Sequence, residues 1–230
     1  MTRNLENGHP MTILVTGANR GLGLELTRQY ADAGHRVLAC NRRPADAPAL
    51  AGSVTWKTLD TGEAESIEAL ATDLAAQPVD VLINNAARRG DTGGLDTLST
   101  DDFLTTLRIN TLGPLLMVKA FRPHLERGRR RIVANISSRA GSVAEGLDAD
   151  GDYAYRCSKA ALNIATAKLA FDYRLIFLAL HPGWVKTDMG GPQADLPVTE
   201  SAQGLRAVID AAAPGNNGSF RSFDGSRIGW

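Results

Sequence analysis

The chain has little cysteine, few aromatics, no net charge and no long apolar run, and each shortage excludes something. Two cysteines, Cys40 and Cys157, exclude a disulfide framework and an all-cysteine metal site. The four histidines, His9, His35, His124 and His181, show no metal-ligand spacing, so no metal is expected. Lysine plus arginine number 25 and aspartate plus glutamate 25, a formal net charge of zero. That balance argues against a broad basic surface, so neither nucleic acid nor an anionic membrane is an expected partner. No apolar run reaches the ~18 residues that span a bilayer. Residues 1–10 are polar and lack the apolar stretch of a secretory signal, which points to the cytoplasm. Aromatics make up 6% of the chain, whereas glycine accounts for 23 of 230 residues. Where the glycines fall is therefore the informative question.

What is present suits one folded domain. A 43% hydrophobic content supplies a sizeable core, and the length fits a single unit. We expect a flexible tail over residues 1–10 and one domain over 11–230. Short apolar runs rich in β-branched residues predict strands at 11–16 (MTILVT), 36–40, 54–59, 79–84, 131–136, 175–180 and 218–223. Helical spacing predicts helices at 22–33, 63–76, 100–109, 112–126, 153–171 and 199–213. The pair 100–109 and 112–126 reads as two helices or as one long element with an irregularity at Gly113-Pro114. Strands that are apolar on both faces and alternate with helices imply an α/β fold. The expected form is a doubly wound parallel sheet of about seven strands with helices on both faces. The basic run at 127–131 (RGRRR) reads as a solvated loop.

The first strand is followed at once by Thr16-Gly17-Ala18-Asn19-Arg20-Gly21-Leu22-Gly23. A glycine-rich turn that opens a helix points backbone N–H groups at an anion such as a pyrophosphate. The spacing is G-x-x-x-G-x-G, not the commoner G-x-G-x-x-G. An NAD site places an acid at the end of the second strand, ~20 residues on, to hold a ribose hydroxyl. Here that stretch is Cys40-Asn41-Arg42-Arg43, with no acid before Asp46. A guanidinium suits a 2′-phosphate. Arg42 or Arg43, with Arg20 opposite, therefore favours NADP(H) over NAD(H).

Tyr155 and Lys159 are four apart on an expected helix and share one face. An ammonium beside a phenol favours the phenolate and makes tyrosine a usable acid or base. Ser137 and Ser138 follow the fifth strand, at the end of a parallel sheet where ligands bind. His181, before Pro182-Gly183, reads as structural.

With these residues placed, the chain from about 11 to 230 resembles the short-chain dehydrogenases/reductases. The turn Thr16–Gly23 is similar to that family's cofactor turn. Asp60, after Leu59, matches the acid that contacts the adenine. Asn84-Asn85-Ala86-Ala87 is similar to the family's N-N-A-G, with Ala87 replacing the glycine. Asn110 sits where the family has its helical catalytic asparagine. Asn135-Ile136-Ser137-Ser138 resembles its N-x-S-S segment, Tyr155–Lys159 its Y-x-x-x-K signature. Pro182-Gly183-Trp184-Val185-Lys186-Thr187 resembles the loop whose Val185 backbone and Thr187 hydroxyl would hold the nicotinamide. Segments 153–163, 181–191 and 219–230 are similar to the C-factor and sniffer-like carbonyl reductases.

The resemblance implies hydride transfer between NADP(H) and a small carbonyl or alcohol. Tyr155 would be the acid, Lys159 would lower its pKa and bind the ribose, Ser138 would hold the substrate oxygen, and Asn110 would anchor a water. Asn19, Leu22, Asn41, Leu59, Asn85 and Ala86 would join the glycines and arginines around the cofactor. It also implies a homodimer or homotetramer, with monomers known in the sniffer-like branch. A C-factor-like cofactor-binding signalling protein with little reductase activity is the alternative, and the intact Ser138, Tyr155 and Lys159 argue for the enzyme. Two departures stand out. Ser138 lies 17 residues before Tyr155, so the intervening loop at 141–152 is long. Residues 170–181 are few, so either the connection is tight or the helix ends early near Ala170. Residues 189–199 are also few, which implies a small lid and an open site.

Overall fold

Alternate residues of each central strand serve opposite cores. In β1 (Thr12–Thr16), Ile13 and Val15 face one side and Leu14 the other. In β2 (Arg36–Asn41), Val37 and Ala39 divide in the same way from Leu38 and Cys40. The computed structural model of the chain describes residues 9–75, 77–148 and 151–230. The remaining strands are β3 (Ser53–Thr58), β4 (Val81–Asn84), β5 (Ile132–Ile136), β6 (Ile176–His181) and β7 (Ser219–Ser222). They form one seven-stranded sheet in the order β3-β2-β1-β4-β5-β6-β7, every pair parallel. The order reverses between β1 and β4, where such sheets open a crevice at their carboxyl ends.

Helices α1 (Gly21–Asp32) and α6 (Val198–Asp210) cover one face through Leu26, Tyr30, Ala202, Leu205 and Ile209. Helices α2 (Ala64–Asp73), α4 (Gly113–Arg127) and α5 (Tyr153–Asp172) cover the other through Ile67, Leu70, Met117, Phe121 and Leu169. The fold is thus the single-domain, Rossmann-like doubly wound sheet. Between α3 (Thr100–Leu107) and α4 the backbone does not break: a π-helical turn, Arg108–Leu112, joins them and carries the buried Asn110. The expected irregularity therefore falls one turn earlier than Gly113-Pro114.

The tail expected over residues 1–10 lies outside the described residues except for His9 and Pro10. These two are tethered, their carbonyls accepting from Arg129 Nη2 at 3.3 and 2.8 Å. The basic run is largely exposed, as expected, but its guanidinium groups are tied down. Arg127 donates to the Ala75 carbonyl past the end of α2 at 2.7 Å, and Arg130 to that of Asp210, the last residue of α6, at 2.7 Å. Guanidinium groups suit these positions because carbonyls at helix ends carry partial negative charge. Ala76, the last residue of the helix expected at 63–76, lies outside the described residues, and α2 itself stops at Asp73. Helix α5 runs through to Asp172 and leaves three residues, 173–175, before β6, so the tight connection is the one realised. Asn217 makes it possible: Nδ2 donates to the Ala170 carbonyl at 3.1 Å and Oδ1 accepts from Phe177 N at 2.8 Å.

Asp80 is the buried polar pin between strands. Its carboxylate, in a residue 5% exposed, accepts from Thr12 N at 2.8 Å and Arg129 N at 2.7 Å. Asp80→Ala leaves both donors without that acceptor, and we expect a loss of roughly 2–4 kcal/mol, read by urea unfolding.

Candidate active site

The turn after β1 passes so close to the end of β4 that no side chain fits between them. A Cβ on Gly17 would lie 2.9 Å from Ala86 Cα, and one on Gly23 would lie 2.2 Å from the Gly17 carbonyl oxygen and 2.5 Å from Asn85 Nδ2. Gly17 and Gly21 have φ of 65° and 52°, a left-handed backbone that favours glycine. Hydrogen bonds hold the approach. Thr16 Oγ1 accepts from Asn85 N at 3.0 Å and Ala86 N at 2.9 Å, while Asn85 Nδ2 donates to the carbonyls of Thr16 and Gly17 at 2.9 and 3.1 Å. Asn85 therefore clamps the turn, and its side-chain nitrogen is spent on protein rather than on a ligand.

Helix α1 begins at this turn with no side-chain cap at Arg20 and no acid in its first turn. Its first N–H groups face an environment suited to a phosphate. The loop after β6 packs against the same turn, with Thr187 Cγ2 3.3 Å from where a Gly21 Cβ would sit. Gly183 turns that loop with φ of 83°, and Ser201 Oγ donates to the Pro182 carbonyl at 2.6 Å. The loop then folds back on itself through the Val185–Leu196 bridge, with Lys186 N donating to the Leu196 carbonyl at 2.9 Å. This is the short segment that the sequence implies.

At the end of β2, Arg42 is exposed and has no ion pair among the described residues, whereas Arg43 pairs with Asp46 at 3.2 Å. Arg20 is not poised as expected: its Nη1 lies 2.6 Å from Asp188 Oδ2, across the crevice. Asn41 is buried and donates to the Arg43 carbonyl at 3.1 Å, which shapes the turn that presents Arg42. Leu59 is buried, its N–H donating to the Asn41 carbonyl at 2.8 Å, and Asp60 stands half-buried beside it. Asp60 Oδ1 accepts from Gly62 N at 2.9 Å. Ala86 and Ala87 are half-buried, and their small side chains keep the crevice open beyond Asn85.

Ser138, Tyr155 and Lys159 converge at the carboxyl end of β5. Ser138 accepts from Ala140 N at 3.2 Å and is hydrogen-bonded to Tyr155. Lys159 is 2% exposed, and its Nζ donates to the Ile136 carbonyl at 2.8 Å and lies 5.6 Å from the centroid of the Tyr155 ring. Burial, with no counter-ion among the described residues, brings the Lys159 ammonium down to about 8. Tyr155 departs from expectation: burial holds its hydroxyl above the ordinary value. The Ser138 hydrogen bond and the Arg89 guanidinium act against that rise, and Asp152 adds to it; Lys159 is not among the causes.

Asn110 is buried, but its side chain does not reach for Lys159. Its Oδ1 accepts from Arg88 N at 2.9 Å, and Nδ2 donates to the Arg88 carbonyl at 2.8 Å and to Ser158 Oγ at 2.9 Å. It thus ties the segment after β4 to α5. His181 Nδ1 accepts from Arg139 N at 3.2 Å, and burial brings the ring down to about 4, so it is neutral at physiological pH.

A sequence profile described as short chain dehydrogenase matches residues 11–196. The chain is 44% identical over 167 residues to the C-signal protein of Myxococcus xanthus, covering 71% of this chain and all of that one. Among solved structures, the carbonyl reductase Sniffer of D. melanogaster superposes with a TM-score of 0.90 at 30% identity, covering 96% of this chain and all of that one. An NADPH-bound carbonyl reductase from chicken fatty liver gives a TM-score of 0.88 at 31% identity, covering 96% and 99%. The chain belongs to the short-chain dehydrogenase/reductase family. It is an NAD(P)-dependent oxidoreductase of that family, with carbonyl reductases among its structural neighbours. Among the described residues, no helix is long and apolar enough to cross a membrane.

The buried lysine has a consequence for stability. An unfolded lysine keeps its proton up to about 10.5, and folded Lys159 releases it near 8, so the unfolded state binds more protons in between. Stability therefore rises with pH across that window, and the full penalty is present below it. We expect Lys159→Met to remove this rise. Relative to the parent, the variant should be favoured most at neutral pH, by up to roughly 3 kcal/mol before the lost hydrogen bond is counted. The advantage should shrink as pH climbs to the ordinary lysine range, as read by denaturant unfolding across pH.

Proposed function

We propose that the chain is an NADP(H)-dependent carbonyl reductase in which Tyr155 is the proton donor. The observation that carries this reading is the convergence of Ser138, Tyr155 and Lys159 beside a backbone cradle too tight for any Cβ. The backbone of Gly17, Asn19, Gly21, Leu22 and Gly23 would take the pyrophosphate, with Arg42 on a 2′-phosphate and Arg20 joining once it leaves Asp188. Leu59 and Asp60 would bound the adenine, and Ala86 and Ala87 the ribose. Pro182, Gly183, Val185 and Thr187 would form the nicotinamide side. When bound, the cofactor supplies or accepts a hydride.

The chain's own residues do the rest. In reduction, Tyr155 gives its phenolic proton to the substrate oxygen as negative charge grows there. Its raised pKa keeps it protonated and ready to donate. Ser138 holds that oxygen where the charge develops. The Lys159 ammonium, fixed by the Ile136 carbonyl, offsets the phenolate left behind and would bind the ribose hydroxyls. Asn110 acts by holding the backbone of Arg88 against α5, which keeps the crevice wall in register with Tyr155.

Removing the phenolic hydroxyl (Tyr155→Phe) should lower kcat by about 10²–10⁴-fold with the fold intact, measured as NADPH oxidation against a ketone, aldehyde and quinone panel. Unchanged turnover would sink the assignment. Arg42→Ala should raise the KM for NADPH roughly 10–100-fold and leave NADH kinetics nearly unmoved, the scale of one charged hydrogen bond. Equal loss with both cofactors would remove Arg42 from the 2′-phosphate.

A further inference from the structure

Asp152 is one of two non-glycine residues described with positive φ, at 54°. Such strain persists only where the surroundings over-determine it. Asp152 is 6% exposed and stands immediately before α5, three residues ahead of Tyr155. An aspartate at a helix N-cap ordinarily turns its carboxylate onto the first-turn N–H groups. Asp152 makes no such bond. It takes Arg89 instead in a two-pronged pair, Nη2 to Oδ2 at 2.6 Å and Nε to Oδ1 at 3.2 Å. Arg89 lies on the segment leaving β4, whose neighbouring Arg88 backbone is gripped by Asn110. The two segments also meet backbone to backbone: a Cβ on Gly151 would lie 2.2 Å from the Gly93 carbonyl oxygen.

We propose that Arg89 and Asp152 are a positioning pair for the acid: they lock the segment leaving β4 onto the start of α5 and keep matched opposite charges within reach of the Tyr155 hydroxyl. The proposal rests on the reading of Tyr155 as the proton donor. The two charges pull that hydroxyl in opposite directions, Arg89 down and Asp152 up. A planar, always-charged guanidinium suits the role because it grips the carboxylate at two points and cannot lose its proton at working pH. The other described charged groups around this end of α5 have partners of their own. Lys159 is held by Ile136, Arg88 pairs with Asp102, Arg156 with Asp148, and Arg139 with Glu145 at 3.6 Å.

A merely structural pair and a charge-balanced one differ in sign. Arg89→Gln leaves the Asp152 carboxylate uncompensated and should move the alkaline limb of kcat/KM for carbonyl reduction upward. Asp152→Asn keeps a residue that accepts the left-handed backbone and removes the negative charge that raises the Tyr155 hydroxyl, so the limb should move downward. Each shift should be on the order of half a unit to one unit, small for a close charge because Arg89 is part exposed. The double variant should return close to the parent, and Arg89→Lys should recover the charge effect while losing the two-point grip. The same four proteins are titrated through the ultraviolet phenolate band, with the Tyr155 share taken by subtracting the matching Tyr155→Phe protein. Opposite displacements in that titration support the pair; displacements in the same direction, or none, overturn it. If even the parent turns over no carbonyl while the titration shows opposite displacements, the carbonyl-reductase reading falls and the pair stands.

Discussion

The close approach of two backbones holds the molecule's working end together. The turn leaving β1 lies against the residues leaving β4 with no room for a Cβ at Gly17 or Gly23. Thr16 and Asn85 fasten the contact from both sides, one hydroxyl accepting two N–H groups and one amide answering two carbonyls. Because β1 and β4 are neighbours at the point where the strand order reverses, that contact also fixes where the crevice opens. The start of α1, the small side chains of Ala86 and Ala87 and the loop carrying Thr187 are all placed by reference to it.

Around this contact, polar side chains are mostly paired with one another, which leaves few to meet a ligand. Asn84 Nδ2 donates to Asn135 Oδ1 at 2.8 Å, and Asn135 Nδ2 donates to Thr166 Oγ1 at 2.9 Å, a buried ladder from β4 through β5 to α5. Ser137 Oγ donates to Asn163 Oδ1 at 2.6 Å, so the first serine of the pair is structural and the second faces Tyr155. Asn110 is occupied on both its oxygen and its nitrogen. Asn84 Oδ1 is left buried without a partner among the described residues, and the remaining bonds rigidify what they surround, which is how a loop-rich site holds a phenol and an ammonium in register. Lys159 makes one hydrogen bond to a carbonyl and lacks a counter-ion among the causes that set its pKa, so burial brings its ammonium down.

Much of this was legible in the chain. The strand runs, their order against the helices and the glycine turn follow from apolar periodicity and from residues that only a tight turn requires. The family motifs located Ser138, Tyr155, Lys159 and the loop at 182–187. What stayed hidden depends on partners far apart in sequence. The basic run at 127–131 looks like a solvated loop because its acceptors lie 52 and 80 residues away. Arg20 reads as free for a phosphate until Asp188, 168 residues on, is brought opposite. Arg89 carries no local signal at all, since its carboxylate partner is 63 residues distant.

The sequence by itself determined the alternation of strand and helix, the place of the glycine turn and which side chains are proposed to react. Those are set by local patterning and by glycine's freedom at positive φ. Tertiary structure decided which side chains are free and what their acidity is. Asn85 and Asn110 became ties, Arg20 an ion pair, Lys159 a weakened ammonium and Tyr155 a phenol held protonated by burial. Hydrogen-bond saturation and desolvation are properties of the packed environment, and no spacing along the chain encodes them.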